Sequence, residues 1–199
     1  MRKAIIMMAI VAVSVAFTAC GKKKEAPKVL VIYYSQTSNT KTVAQEIAKR
    51  LGADIEEIVP VNPYDSDFQA TIARCQEERD KGITPEIKPI SVDIAKYDVI
   101  FLGYPVWFGT FAPPIAAFLD QVDLSGKKVV PFCTFGSGGL ESSGKDLAEK
   151  EPKAEILPGY GCVRLVSLLF HKRLTSSSRL AALSKANTPS WRSSQSSSL

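Results

Sequence analysis

Between residues 28 and 163, short apolar runs alternate with segments whose apolar positions recur at the three-to-four-residue spacing of a helix. The first run, "KVLVIYY" (28–34), predicts a strand. It gives way to Val43, Ala44, Ile47, Ala48 and Leu51, one face of a helix that ends at Gly52. "DIEEIV" (54–59) predicts a second strand closed by Pro60, and residues 65–79 a second helix with Phe68, Ile72 and Cys75 on one face. Two prolines mark "GITPEIKPI" (82–90) as a loop. "YDVIFLGY" (97–104) and "KKVVPFCTF" (127–135) predict further strands. Between them "APPIAAFLDQV" (112–122) opens a helix on two prolines, which suit its first turn. Pro131 conflicts with a central place for the run that holds it, because proline offers no N–H to a neighbouring strand. "GLESSGKDLAEKE" (139–151) predicts a last helix, and "AEILPGYGCV" (154–163) a last strand or two short ones. Strands apolar throughout, each followed by a helix, predict a parallel sheet covered on both faces.

Ligands of such sheets bind beyond the carboxyl ends of the strands. The loop after the first strand is Ser35, Gln36, Thr37, Ser38, Asn39 and Thr40, directly before a helix. Free N–H groups and the positive end of the helix dipole favour an anion there, and the hydroxyls add donors, so a phosphate needs no buried cation. The same residues also read as an ordinary N-cap in a polar loop. Pro105, Val106, Trp107, Phe108, Gly109 and Thr110 follow the third strand, and Thr134, Phe135, Gly136, Ser137, Gly138 and Gly139 the fourth. Aromatic side chains at a strand end, with glycines that let the backbone come close, suit a planar ring. Trp107 and Phe108 also read as core residues.

The formal charge of +5 does not make this a nucleic-acid binder. From Lys28 to Cys162 there are 14 basic and 19 acidic residues, so the basic excess lies at the two ends of the chain. Cys75, Cys133 and Cys162 have no C-x-x-C spacing, which leaves one disulfide open in an oxidising compartment but indicates no zinc site or redox dithiol. No metal site is expected, and the single His171 removes most histidine-based chemistry. Gly139, Gly144 and Lys145 nearly spell a P-loop, but Asp146 stands where the Ser or Thr for magnesium belongs. Cys133 has no arginine six residues on, as a cysteine phosphatase requires. Ser137 lacks the glycine two residues before it that a nucleophile elbow needs.

"YSQTSNT", "YDVIFLGYPVWFGT" with the following "APP", and "VVPFCTFGSGGLESSGKDL", in that order, resemble the flavodoxin family, and within it the short exported flavodoxin-like proteins. The resemblance runs from Lys28 to about Arg164. It implies an α/β fold, a doubly wound five-stranded parallel sheet of order 2-1-3-4-5, and bound FMN. By position, Ser35 to Thr40 would hold the phosphate, Trp107 and Phe108 would lie against the isoalloxazine, and Thr134 to Gly139 would close its other side. The Gly109 carbonyl would accept from N5 of the reduced flavin. Ser38 departs from the family's usual glycine, at a strain cost on the order of 1 kcal/mol if that residue needs positive φ. The function implied is FMN-dependent electron transfer with redox partner proteins or small-molecule electron acceptors; the acidic domain would steer basic partners. The alternatives are an FMN-dependent NAD(P)H or quinone oxidoreductase, for which residues 80–97 could supply a shelf over the ring, and a non-flavin binding module on the same fold.

The ends of the chain read differently from its middle. Arg2 and Lys3, an uncharged apolar stretch from Ala4 to Phe17, and "TAC" at 18–20 form the three regions of an export signal, too short to span a bilayer. "FTAC" followed by Gly21 resembles a bacterial lipoprotein signal. It implies lipidation at Cys20, a charged tether at 21–27, and a membrane-anchored domain at 28–164 on the periplasmic or cell-surface side. Residues 165–199 are serine-rich and hold no acidic residue, where the family continues with a helix. That break reads either as a native basic tail or as a change of reading frame near residue 164, and it puts the C-terminal helix in question.

Overall fold

The structure, a computed structural model, describes residues 26–163. The expected signal, Cys20, the first part of the tether and the tail after Arg164 lie outside the described residues. In chain order the elements are β1 (Val29–Tyr33), α1 (Asn39–Leu51), β2 (Asp54–Glu57), α2 (Phe68–Lys81), a 3-10 turn (Ile94–Lys96), β3 (Val99–Trp107), β4 (Thr110–Phe111), α3 (Pro113–Leu119), β5 (Lys128–Phe135), α4 (Leu140–Lys150), β6 (Glu155–Ile156) and β7 (Tyr160–Val163). The parallel strands lie in the order β2-β1-β3-β5, with β6 and then β7 occupying the fifth place beside β5. Counted by position this is the expected 2-1-3-4-5 order. The short β4, which the pattern of residues does not predict, folds back antiparallel on β3.

Successive side chains of a strand point to opposite faces, and the apolar runs therefore feed two cores. Leu30 and Ile32 of β1 join Cys75 of α2, Ile115 and Phe118 of α3 and Leu147 of α4 on one face. Val31 and Tyr33 join Val43, Ala44, Ile47 and Ala48 of α1 on the other. Among the described residues α1 is the one helix on that second face.

One expectation needs correcting. Helix α2 forms, capped by Asp67, whose side chain accepts from the Ala70 N–H, but Phe68 is 70% exposed. The buried positions of α2 are Cys75 and Glu78. Its inner face is a polar one: Glu78 accepts from the Tyr64 hydroxyl at 2.6 Å and from Arg74 at 2.8 Å, so apolar spacing there does not report the core. The 82–90 segment is a loop, as its prolines indicate, and it is held down by hydrogen bonds. The Val61 N–H donates to the Glu86 carbonyl and the Lys88 N–H to the Val59 carbonyl, while Ser91 donates twice to Glu56. That pairing ties the segment to the chain just past β2 and to a β2 side chain.

Pro131 lies in β5 after all. The Val129 carbonyl accepts from the Leu157 N–H on the outer side of the strand, so residue 131, two along, turns its backbone the same way. Proline has no N–H to give there, and the fifth strand breaks opposite it, between Ile156 and Tyr160. A side chain on Gly159 would stand 2.4 Å from the Pro131 carbonyl oxygen.

All three described cysteines are buried and free. Thr134 pairs with Cys162 across β5 and β7, so Cys133 and Cys162 fall on opposite faces of the sheet, and the disulfide left open by the sequence has no partner geometry between them. Burial pushes the Cys75 thiol up to about 11 and the Cys133 thiol up to about 12, and raises Cys162 as well. These thiols keep their protons in the fold where an unfolded chain loses them near pH 8.5. Their contribution to stability is full below that pH and is lost as pH rises towards 11 to 12. The urea midpoint should therefore hold between pH 7 and 8 and fall from about pH 9 upwards, with a shallower fall in Cys133→Ala.

Gly103 of β3 is paired with Phe132 of β5, and a Cβ at Gly103 would stand 2.1 Å from the Phe132 ring. Gly103→Ala should cost about 3 kcal/mol, the upper part of the range for overpacking a core, read as a lowered midpoint in urea.

Candidate functional site

The register of the sheet brings three strand ends level. Tyr33 lies opposite Gly103, and Pro105 opposite Thr134, so the loops after β1, β3 and β5 start side by side. Each loop leads into a helix or a tight turn that fixes its shape.

In the first loop, Ser38 is the N-cap of α1 and sits in the left-handed region, with φ 61° and ψ 0°. The Lys41 N–H donates to the Ser35 hydroxyl at 3.2 Å and the Thr42 N–H to the Ser38 carbonyl at 3.0 Å. Among the described residues no acceptor takes the main-chain N–H groups of Ser35 to Thr40. These donors sit at the positive end of α1, the arrangement that holds a small anion. Lys41, in the first turn of α1, is engaged by Glu57 at 2.9 Å. The Asn39 side chain donates to the Thr37 hydroxyl at 2.8 Å, which steadies the loop from within.

Two side chains of this loop are engaged by other parts of the protein. Gln36 donates to the Tyr64 and Asp65 carbonyls at 3.1 and 2.8 Å and accepts from the Tyr34 hydroxyl at 2.7 Å, so its amide binds the loop to residues 64–65. Thr40 is buried, and its hydroxyl shares a 2.9 Å hydrogen bond with Thr134. That bond joins the first loop to the third.

The second loop is a hairpin. β3 and β4 are joined by Phe108 and Gly109, both with positive φ, 51° and 83°. A two-residue turn of the primed type with positive φ at both places favours glycine or asparagine there, and only the second is a glycine. The Phe108 ring, half exposed at the tip, carries the Arg79 guanidinium 4.8 Å from its centre. Trp107 is half-buried against the edges of Tyr34 and Tyr64, with ring centres 5.8 and 5.2 Å away. Tyr64 in turn carries Arg74 4.0 Å over its face. Burial and the Glu78 carboxylate push the Tyr64 phenol well above its ordinary range, so it stays a hydrogen-bond donor. Pro105 and Val106 are half-buried at the base of the hairpin.

In the third loop Gly136, Ser137 and Gly138 are exposed. Phe135 lies over Gly161, where a side chain would meet its ring at 2.6 Å. Gly139 packs against Val106 with no room for a Cβ, which would be 2.6 Å from Cγ1. The second and third loops thus touch directly. A cleft of about 410 Å³ adjoins the first loop on the β2 side, walled by Tyr34, Gln36, Thr37, Pro60 and Tyr64.

Residues 35–40, 105–109 and 134–138 therefore come together at one end of the sheet as a group. The sequence did not single out Tyr34, Tyr64, Arg74 or Glu78, which brace the first two loops. Only Arg74 and Glu78 leave a local trace, as an ion pair four residues apart on one helix. Within the 80–97 segment, residues 86–91 run along β2, and the residue over the hairpin is Arg79. No group of three or more His, Cys, Asp or Glu able to hold a metal ion occurs among the described residues.

Comparison with known proteins agrees with this geometry. The flavodoxin family model matches residues 28–167. A solved structure from Bacteroides eggerthii is 30% identical with a TM-score of 0.64, over 73% of this chain and 96% of that one. A flavoprotein from Lactobacillus acidophilus, solved in complex with FMN, is 27% identical with a TM-score of 0.62, over 68% of this chain and 93% of that one. An NAD(P)H dehydrogenase (quinone) from Gluconacetobacter diazotrophicus is 32% identical over 99 residues, 47% of this chain and 46% of that protein. A flavodoxin-like domain-containing protein of Clostridioides difficile is 30% identical over 123 residues, 62% of this chain and 55% of that protein. The chain spans about half the length of these characterised relatives.

Ser38 carries the strain that a Cβ meets in the left-handed region, roughly 1–2 kcal/mol. Part of that is offset in a glycine by its freer unfolded chain. Ser38→Gly should raise stability by about 1 kcal/mol, seen as a thermal midpoint about 3 °C higher. Ser38→Val should lower it.

Proposed function

The chain belongs to the flavodoxin family, and from that premise we propose that it binds FMN and passes electrons between redox partners. The observation that carries this reading is the row of main-chain N–H groups from Ser35 to Thr40 at the head of α1, with no protein acceptor among the described residues. A phosphate dianion fits there on amides and the hydroxyls of Ser35, Thr37 and Ser38, with Lys41 already held by Glu57. The hairpin at 105–110 and the loop at 134–138 flank a place for a flat ring, in contact with each other through Val106 and Gly139. FMN, when bound, supplies the redox chemistry, taking up and releasing one or two electrons. The chain's own residues bind the phosphate, orient the ring and set the main-chain groups at its edge.

The names of the relatives support a second reading, an FMN-dependent NAD(P)H:quinone oxidoreductase. We further propose, from the pattern at 1–20, that Cys20 is lipidated and holds the domain at a membrane outside the cytoplasm.

Titration of the purified protein with FMN should give uptake of one equivalent with quenched flavin fluorescence. Protein that takes up none overturns the reading and leaves a non-flavin binding module. NAD(P)H consumption that depends on added quinone selects the enzyme, and its absence in the FMN-loaded protein selects the carrier. In cells, Cys20→Ser should abolish acyl labelling and membrane retention.

A further inference from the structure

Ser142 stands in the first turn of α4 and touches both of the loops that would flank the ring. Its hydroxyl donates to the Gly109 carbonyl at 2.5 Å and lies 3.3 Å from the Gly139 carbonyl. Gly109 is the second residue of a two-residue turn with positive φ throughout. Glycine leaves the peptide that follows it free to take other orientations at little cost, and no other described hydrogen bond engages that carbonyl. Gly139, packed on Val106, brings α4 close enough for the hydroxyl to reach.

We propose that Ser142 is a positioning residue: its hydroxyl fixes the Gly109 peptide in one orientation and so decides which main-chain group the hairpin presents to the cofactor. This rests on the FMN reading. Reduction turns the flavin N5 from a hydrogen-bond acceptor into an N–H donor, and a Gly109 peptide held in the orientation that Ser142 fixes must turn out of it for its carbonyl to accept from N5. The hydroxyl therefore favours the oxidised cofactor. Ser142 itself is exposed, and its loss leaves the core intact.

Two measurements on Ser142→Ala and Ser142→Thr test this. In the cofactor-free protein, amide exchange of Gly109 to Phe111 should quicken in Ser142→Ala and return to the original rate in Ser142→Thr. In the FMN-loaded protein, the first-electron potential of Ser142→Ala should rise by about 59 mV, a tenfold gain in relative affinity for the reduced cofactor, and Ser142→Thr should restore it. Unchanged exchange, or an unchanged potential, overturns the proposal. Wild-type protein that takes up no FMN overturns the FMN reading instead, and the exchange measurement then judges the hold on Gly109 alone.

Discussion

Phe132 lies across the backbone of Gly103, and no residue with a side chain fits at that point of β3. The overlap fixes β3 against β5 in one register, because a slip by one residue would put Leu102 or Tyr104 under the ring. With that register set, Pro105 and Thr134 leave the sheet together, and the loops they begin meet at its end. The same device recurs outward: Gly159 makes room for Pro131 and Gly161 for Phe135. The half of the sheet that faces the third loop is built by bare backbone lying under bulky rings.

The loops themselves are joined by single polar contacts. Thr40 with Thr134 links the first to the third, Gln36 links the first to residues 64–65, and Ser142 links the third to the hairpin. A buried hydroxyl that loses its partner costs about 1–3 kcal/mol, so the Thr40 and Thr134 pair holds firmly although each hydroxyl is small. The anion site that results draws its charge complement from aligned amides. Lys41, at the head of α1, balances Glu57 instead.

Much of this was legible in the amino-acid pattern where burial alone dictates it. Strands apolar on both faces and a helix such as α1, with Val43, Ala44, Ile47 and Ala48 inward, declare themselves through periodicity. Where a polar group does the packing, the pattern misleads. Phe68 falls on solvent because Glu78 and Arg74, tied to Tyr64, occupy the inner side of α2. The β3–β4 hairpin was hidden because Phe108 holds a turn position that usually announces itself with asparagine or glycine. Gln36 was placed in the anion-binding loop by its position beside Ser35, and nothing local announces the bracing role of its side chain. Its partners are carbonyls 28 and 29 residues away, and no local spacing reports those. Pro131 spoke against a central strand, yet β5 runs through it, and the break falls on its neighbour, the strand deprived of an N–H.

The three interior cysteines have one more implication. Cys133 and Cys162 are kept apart by the sheet itself, and Cys75 of α2 is buried in one cluster with Tyr34 and Tyr64, each thiol protonated at neutral pH. Such thiols neither attack a disulfide nor offer one to be reduced. In the folded domain these three thiols are thereby shielded from oxidants and from foreign disulfides in the surrounding medium.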